Sequence, residues 1–116
     1  MKKSVFLLSG LLAFSTAFAT EYKYSTQEVY TQMCSQCHGA TAQGNPEKKG
    51  PALNDLSKTE LEMELYKLEA DKYHLGESAH EIMEHNLKKI QEKGMTYNIP
   101  TMAEYIFKSF NPKAKK

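Results

Sequence analysis

Apolar residues recur at helical spacing in four segments of the chain, which predicts four amphipathic helices. The first segment runs from Ser25 to about Cys34, and the last begins near Ile99 and stops before Pro112. Pro100 is compatible with that last helix only in its first turn, because proline lacks the N–H that a helix interior needs. The apolar positions are Val29, Tyr30 and Met33, then Leu61, Leu65 and Leu68, then Ile82, Met83, Leu87 and Ile90, and finally Ile99, Met102, Ile106, Phe107 and Phe110.

The first three segments begin with the same capping signature, in which a serine precedes a glutamate by three residues. The pairs are Ser25 with Glu28, Ser57 with Glu60, and Ser78 with Glu81. Between the first two segments, residues 39–54 are rich in Gly, Pro, Asn and Lys, which predicts a loop. The chain shows no alternating pattern typical of β-strands. The sequence therefore predicts a small all-α domain.

The N-terminal segment has the organisation of a secretory signal peptide. Two lysines give it a positive start, residues 5–14 are almost entirely apolar, and Ala17-Phe18-Ala19 is a small-x-small cleavage site. The apolar core is shorter than the ~18 residues that a membrane span needs. We therefore expect a cleaved signal peptide at 1–19, a domain at 20–112 and a basic, solvated tail at 113–116. The short core and lysine start are typical of bacteria, so the expected destination is the periplasm.

Composition and charge narrow the classes of function. The 116 residues include 15 lysines, no arginine and 14 acidic residues. Cleavage after Ala19 leaves 13 lysines against 14 acids, a net charge of −1. A nearly balanced chain without arginine offers no phosphate-binding stripe, so nucleic-acid binding is not expected. A chain of this length forms one domain with a modest core, which benefits from additional stabilisation.

The motif that carries chemistry is Cys34-Ser35-Gln36-Cys37-His38, a C-x-x-C-H sequence that uses both cysteines of the chain. Two thiols at this spacing can each add to one vinyl group of a haem, and the adjacent imidazole then reaches the iron. Haem is attached in this way outside the cytoplasm, which agrees with the signal peptide. The motif predicts one covalently attached haem c, with Cys34 and Cys37 as thioether anchors and His38 as an iron ligand.

Three other interpretations of the cysteines are open. A C-x-x-C redox pair would require a βαβ context, which the pattern lacks. A structural disulfide would close a very short loop and would gain little entropy. A zinc site would draw on His80, which lies within finger-like spacing of both His74 and His85. The gap from Cys37 to His80, however, is far longer than the ~12–15 residues of a zinc finger.

With these residues, the chain resembles the class I c-type cytochromes, and more narrowly their small, single-haem periplasmic members. The similar stretches are Glu28 to Gly39 (first helix and haem site), Gly50 to Ser57 (proline loop) and Met102 to Ile106 (last helix). The resemblance implies a small cytochrome c fold in which about four helices wrap around one haem. It implies that the Pro51 carbonyl accepts a hydrogen bond from the free ring nitrogen of His38, which makes the ligand more basic. It also places Tyr30 and Tyr105 where the first and last helices cross.

The ligand on the other side of the iron is expected to be a methionine, because a thioether opposite histidine favours ferrous iron and suits an electron carrier. The mature chain contains Met33, Met63, Met83, Met95 and Met102. Met33 adjoins the attachment motif, and Met102 lies on the inner stripe of the last helix. Met63 lies far from the family's ligand segment. Met83 and Met95 are the remaining candidates.

Of these two, we expect Met83 to be the ligand. It precedes Tyr105 by 22 residues, which matches the family register once an insertion of about four residues is allowed. Met95 follows Gly94 at the start of the last helix, where the family usually has an apolar or capping residue. It is the alternative ligand, since Met83 also fits an apolar stripe where methionine is usually core. The remaining alternatives are an open site or ligation by His74, His80 or His85.

The sequence thus predicts a periplasmic single-haem cytochrome c that carries single electrons between respiratory redox partners. The iron supplies the chemistry and the protein supplies attachment, ligation and a dry pocket, so no enzyme activity is expected. We expect a monomer that meets protein redox partners and has no membrane span after signal cleavage. The alternative is a haem-based ligand-binding or peroxidase-like module, which requires an open or displaceable sixth position.

Overall fold

The computed structural model describes residues 22–71 and 81–115, and within these ranges the chain forms helices and loops without a β-strand. The helical elements are α1 (Thr26–Val29), a π-helical turn (Tyr30–Cys34), α2 (Ser35–His38), a 3₁₀ turn (Pro46–Lys48), α3 (Lys58–Asp71), α4 (Glu81–Glu92), α5 (Ile99–Phe110) and a second 3₁₀ turn (Pro112–Lys115). Because α1, the π-helical turn and α2 are continuous, they form one N-terminal helix. The predicted all-α architecture of four helices is confirmed.

Several predictions fall outside the described residues. They are the signal peptide at residues 1–19, the serine of the third capping box at Ser78, and His74 and His80. In the part of the chain that the structure describes, no helix is both long enough and apolar enough to cross a membrane.

The two capping boxes whose residues are described both form. The Glu28 N–H donates to Ser25 Oγ at 3.1 Å, and the Ser25 N–H donates to Glu28 Oε2 at 2.8 Å. Ser57 and Glu60 make the same two bonds at 3.1 and 2.8 Å. Hydrogen bonds from Ser57 to the Glu60 carboxylate hold the pKa of that group below its usual value. Local sequence therefore determines where α1 and α3 begin.

The first and last helices cross through an aromatic cluster. Tyr30 is 1% exposed, and its ring centroid lies 5.8 Å from that of Tyr105 and 5.0 Å from that of Phe110. Tyr105 and Phe110 meet edge to face at 5.8 Å. Such pairs contribute about 0.5–1.5 kcal/mol beyond the burial of their area. The cluster fixes the N-terminal helix against α5, at the two tyrosines that the family resemblance places there.

The hydrophobic core lies between the N-terminal helix, α3, α4 and α5. Its buried members include Val29, Leu61, Ile90, Met95, Met102, Ala103 and Ile106. On the polar side of the α3–α4 contact, the Gln91 side chain donates to Glu69 Oε1 at 3.2 Å. The core therefore draws on all four helices and leaves the end of the N-terminal helix at its margin.

The end of α5 is followed by a 3₁₀ turn at residues 112–115. Asn111 is buried, and its side-chain amide donates to the Leu56 carbonyl at 3.0 Å. Its Oδ1 accepts the Lys113 N–H at 2.9 Å, which starts the 3₁₀ turn at residues 112–115. Asn111 thereby ties the end of α5 to the segment that precedes α3.

Candidate haem site

The C-x-x-C-H motif occupies the end of the N-terminal helix. Cys34 closes the π-helical turn, and Cys37 and His38 lie in α2. The helix ends at Gly39, whose φ of 92° is a conformation that glycine adopts readily and other residues avoid. The two thiols and the imidazole therefore project from the last turns of one rigid element, which fixes their mutual spacing.

Cys34 and Cys37 are partly buried and are not joined by a disulfide. Burial raises the pKa of the Cys34 thiol to about 12. A redox-active C-x-x-C pair relies instead on a thiol whose pKa is lowered so that the reactive thiolate is populated. The surroundings of Cys34 therefore do not favour a thiol–disulfide exchange site.

His38 is buried, and its ring is held by the proline loop. Its Nδ1 lies 2.8 Å from the Pro51 carbonyl oxygen, and the residue is 8% exposed. Because a carbonyl oxygen only accepts hydrogen bonds, Nδ1 carries a proton, and in the neutral imidazole the free lone pair is then on Nε2. That tautomer is the one in which imidazole binds a metal through Nε2. The hydrogen bond implied by the family resemblance is present.

The chain between α2 and the proline loop folds back on the end of α2 through main-chain hydrogen bonds. The Gly44 N–H donates to the His38 carbonyl at 2.7 Å. Asn45 and Gly50 form an isolated antiparallel bridge, with N–H to carbonyl distances of 2.8 and 3.0 Å. These bonds determine the path of the loop and bring the proline carbonyl beside the imidazole.

A cavity of about 1210 Å³ opens beside His38. Cys37, His38 and Pro51 form one side of it, the leucines of α3 form another, and Met83 at the start of α4 also lines it. Ligand pockets commonly measure about 300–1,000 Å³, so this cavity has room for a large flat group. The Cys37 thiol, the His38 imidazole, the Met83 side chain and apolar walls line the cavity, and Cys34 does not line it but lies three residues before Cys37 on the same helix. Thiols, an imidazole, a thioether and apolar surroundings are what haem c requires. The residues present fit that cofactor.

The two candidate methionines lie in different environments. Met83 is half-buried and lines the same cavity as His38, whereas Met95 is 4% exposed within the hydrophobic core. The Met95 N–H donates to the Ile90 carbonyl at 3.0 Å, and Gly94 adopts a φ of 71°. This is the Schellman ending of α4, in which the residue after the glycine packs back on the helix. Capping and core packing account for Met95 without a role at iron.

The described histidines and acids offer little to a zinc ion. Within residues 22–71 and 81–115, no group of three or more His, Cys, Asp or Glu side chains lies close enough together to hold a metal. His85 is exposed, and His74 and His80 lie outside these ranges. The described part of the chain therefore contains no zinc site built around the two cysteines.

Two residues, one lining the cavity and one close to Cys34, were not predicted from the sequence. Asn86 lines the cavity with Met83, and the three-residue spacing that puts both on one face of α4 could have indicated it. Tyr97 is half-buried, and burial raises the pKa of its phenol, with Cys34 and Glu69 adding to the effect. Nothing in the local sequence indicates that Tyr97 approaches Cys34, because they lie on separate elements.

Comparison with known proteins agrees with this geometry. The family model for cytochrome c matches residues 25–108, which is more than half of the chain. The chain therefore belongs to the cytochrome c family, whose members bind haem c covalently through a C-x-x-C-H motif. It is a haem-based electron carrier, and the predicted family, fold and cofactor are confirmed. A search of curated proteins and a search of solved structures found no match.

Proposed function

We propose that the mature protein is a periplasmic, monomeric, single-haem cytochrome c that carries single electrons between respiratory redox partners. We further propose His38 and Met83 as the two iron ligands, and no catalytic activity of its own. The observation that carries the proposal is that one cavity is lined by both residues, while the Pro51 carbonyl holds the proton on Nδ1 of His38.

The surroundings of the cavity suit a carrier of this kind. Haem iron, when bound, cycles between ferrous and ferric states by gaining and losing one electron. Leu61, Leu65 and Leu68 of α3 line the cavity and give it an apolar wall. Burial against apolar side chains is one of the protein features that set the reduction potential of a haem. The half-buried thioether of Met83 would occupy the position that a ligand-binding module leaves open.

Export supports the periplasmic part of the proposal. The N-terminal segment has the charge, apolar core and cleavage site of a signal peptide. Haem attachment through two thiols takes place outside the bacterial cytoplasm, so the export signal and the C-x-x-C-H motif point to the same compartment. A soluble carrier in that compartment meets respiratory donors and acceptors at the membrane surface.

Expression of the full chain in a bacterial host with haem-attachment machinery tests localisation and attachment. We expect haem protein in the periplasmic fraction, with the intact mass of residues 20–116 plus one haem. A Cys37→Ser variant should retain one thioether at most, which changes the pyridine haemochrome spectrum. Ser35→Ala alters the motif without removing a thiol. This variant should still carry one haem by intact mass and should show the pyridine haemochrome spectrum of the unaltered protein. Protein without haem, or retained in the cytoplasm, would contradict the proposal.

Electron transfer is tested on the same purified protein. Stopped-flow mixing of the reduced form with a one-electron oxidant should give complete reoxidation at one equivalent. Carbon monoxide added to the reduced protein should leave its spectrum unchanged, because Met83 fills the sixth position. Ready binding of carbon monoxide by the resting reduced protein would instead identify the ligand-binding module as the function.

A further inference from the structure

Gly50 makes an unusually close contact with the haem-attachment motif. It is buried, and a Cβ placed on it would overlap the carbonyl oxygen of Cys37 and lie 3.2 Å from the Cys37 Cα. Real Cβ atoms essentially never come within 3.0 Å of another heavy atom in this way. Among the glycines that the structure describes, Gly50 is the one whose φ is not positive. Position 50 therefore requires glycine because there is no space for a side chain, and not because of its backbone conformation.

This contact lies next to the hydrogen bond that holds the haem ligand. Gly50 rests on Cys37, and the following residue, Pro51, accepts the bond from His38 at 2.8 Å. The Gly50 N–H and carbonyl are both engaged with Asn45, at 3.0 and 2.8 Å. The proline ring fixes the φ of Pro51. The position of the Pro51 carbonyl, which faces the imidazole, is therefore closely tied to the position of Gly50.

We propose that Gly50 is a positioning residue for the haem ligand: its lack of a side chain lets the proline loop approach α2 closely enough for the Pro51 carbonyl to bond His38. The reduction potential of the iron therefore depends on Gly50. This inference rests on the proposed role of His38 as an iron ligand. A side chain at this position must push the loop away from Cys37 by about an ångström or more, and a donor–acceptor distance of ~3.6 Å is no longer a hydrogen bond. Loss of that bond weakens the imidazole as an electron donor and favours ferrous iron.

The test compares Gly50→Ala with Gly94→Ala in the full-length holoprotein. Gly94 is, in contrast, an exposed glycine in a defined turn; nothing lies within 4 Å of a Cβ built on it, and its φ of 71° makes alanine strained. We expect Gly94→Ala to lower the melting temperature and leave the reduction potential unchanged. We expect Gly50→Ala to raise the potential and to speed solvent exchange of the His38 Nδ1 proton, followed by NMR.

A haem-loaded Gly50→Ala protein with the potential and Nδ1 exchange rate of the unaltered protein would overturn the inference. If Gly50→Ala does not accumulate with haem, Asn45→Ala is measured, because its side chain accepts the Glu47 N–H at 3.1 Å within the same turn. This variant should shift the potential in the same direction by a smaller amount, and an unchanged potential would overturn the inference. Exchange of the Nδ1 proton reports on the hydrogen bond between His38 and Pro51 whether or not the protein carries electrons, so it stays informative if the electron-carrier role fails.

Discussion

The hydroxyl of Tyr30 donates a hydrogen bond to the carbonyl of Gly39 at 2.8 Å, and this bond spans the whole haem-attachment motif. Tyr30 begins the π-helical turn, and Gly39 ends α2. The same tyrosine packs on Tyr105 and Phe110 of α5. The Tyr30 side chain therefore has two roles. It packs where the first and last helices cross, and it bonds the residue that follows the haem-attachment motif.

Removing this hydroxyl should cost stability without removing the aromatic contact. The Gly39 carbonyl also accepts the Ala42 N–H at 3.2 Å, so Tyr30→Phe does not leave it without a donor. We therefore expect Tyr30→Phe to lower the free energy of unfolding by about 0.5–1.5 kcal/mol, as for an ordinary hydrogen bond. Urea denaturation of the holoprotein measures it. Tyr105→Phe, which removes a more exposed hydroxyl, should cost less, and equal losses would contradict this account.

A stabilising substitution is expected immediately before the proline loop. Lys49 is exposed and has a φ of 56°, a left-handed conformation that costs a non-glycine residue about 1–2 kcal/mol. Glycine removes that strain but gains chain entropy when unfolded, so Lys49→Gly should raise stability by about 0.5 kcal/mol. Lys48 lies in the 3₁₀ turn next to it, and Lys48→Gly should lower stability. Thermal melts of both variants measure the two changes in stability. A lower melting temperature for Lys49→Gly than for the unaltered protein would contradict the strain argument.

The sequence predicted those parts of the fold that depend on local chemistry. The capping boxes at Ser25 and Ser57, the leucine stripe of α3 and the C-x-x-C-H motif all act over a few residues, so their spacing is informative. The hydrogen bond between Pro51 and His38 was implied by the family resemblance, since no spacing rule connects residues thirteen apart. Local signals were sufficient to predict the helices and the attachment point.

The features that the sequence did not indicate depend on contacts between distant elements. The Asn111 side chain donates to the Leu56 carbonyl across 55 residues, and no local pattern indicates that pairing. The close contact of Gly50 with Cys37 has no sequence signature beyond the glycine itself. The π-helical turn at residues 30–34 interrupts a helix whose apolar spacing is ordinary. These features depend on packing between distant parts of the chain, and the spacing of apolar residues along the sequence carries no information about that packing.

Alkaline pH should destabilise the protein through two buried phenols. Burial raises the pKa of Tyr30 and of Tyr97 above the ordinary value near 10. Above about pH 10 the unfolded chain loses these protons while the folded chain keeps them, so stability falls as pH rises. Each phenol contributes a slope of about 1.4 kcal/mol per pH unit in this range. Urea denaturation between about pH 9 and pH 11 should show a shallower fall for Tyr97→Phe than for the unaltered protein. An unchanged slope would contradict it.

The last prediction concerns the sixth ligand. Met83 lines the cavity beside His38, whereas Met95 caps α4 and fills the core. Met83→Ala should abolish the weak far-red sulfur-to-iron band of the oxidised protein and lower the reduction potential, because a thioether that favoured ferrous iron is gone. Met95→Ala should keep the band and lower the free energy of unfolding by ~2–5 kcal/mol, as for a buried side chain that leaves a cavity. Optical spectra, potentiometry and urea denaturation of both variants separate ligand from core, and loss of the band in Met95→Ala alone would transfer the ligand role to Met95.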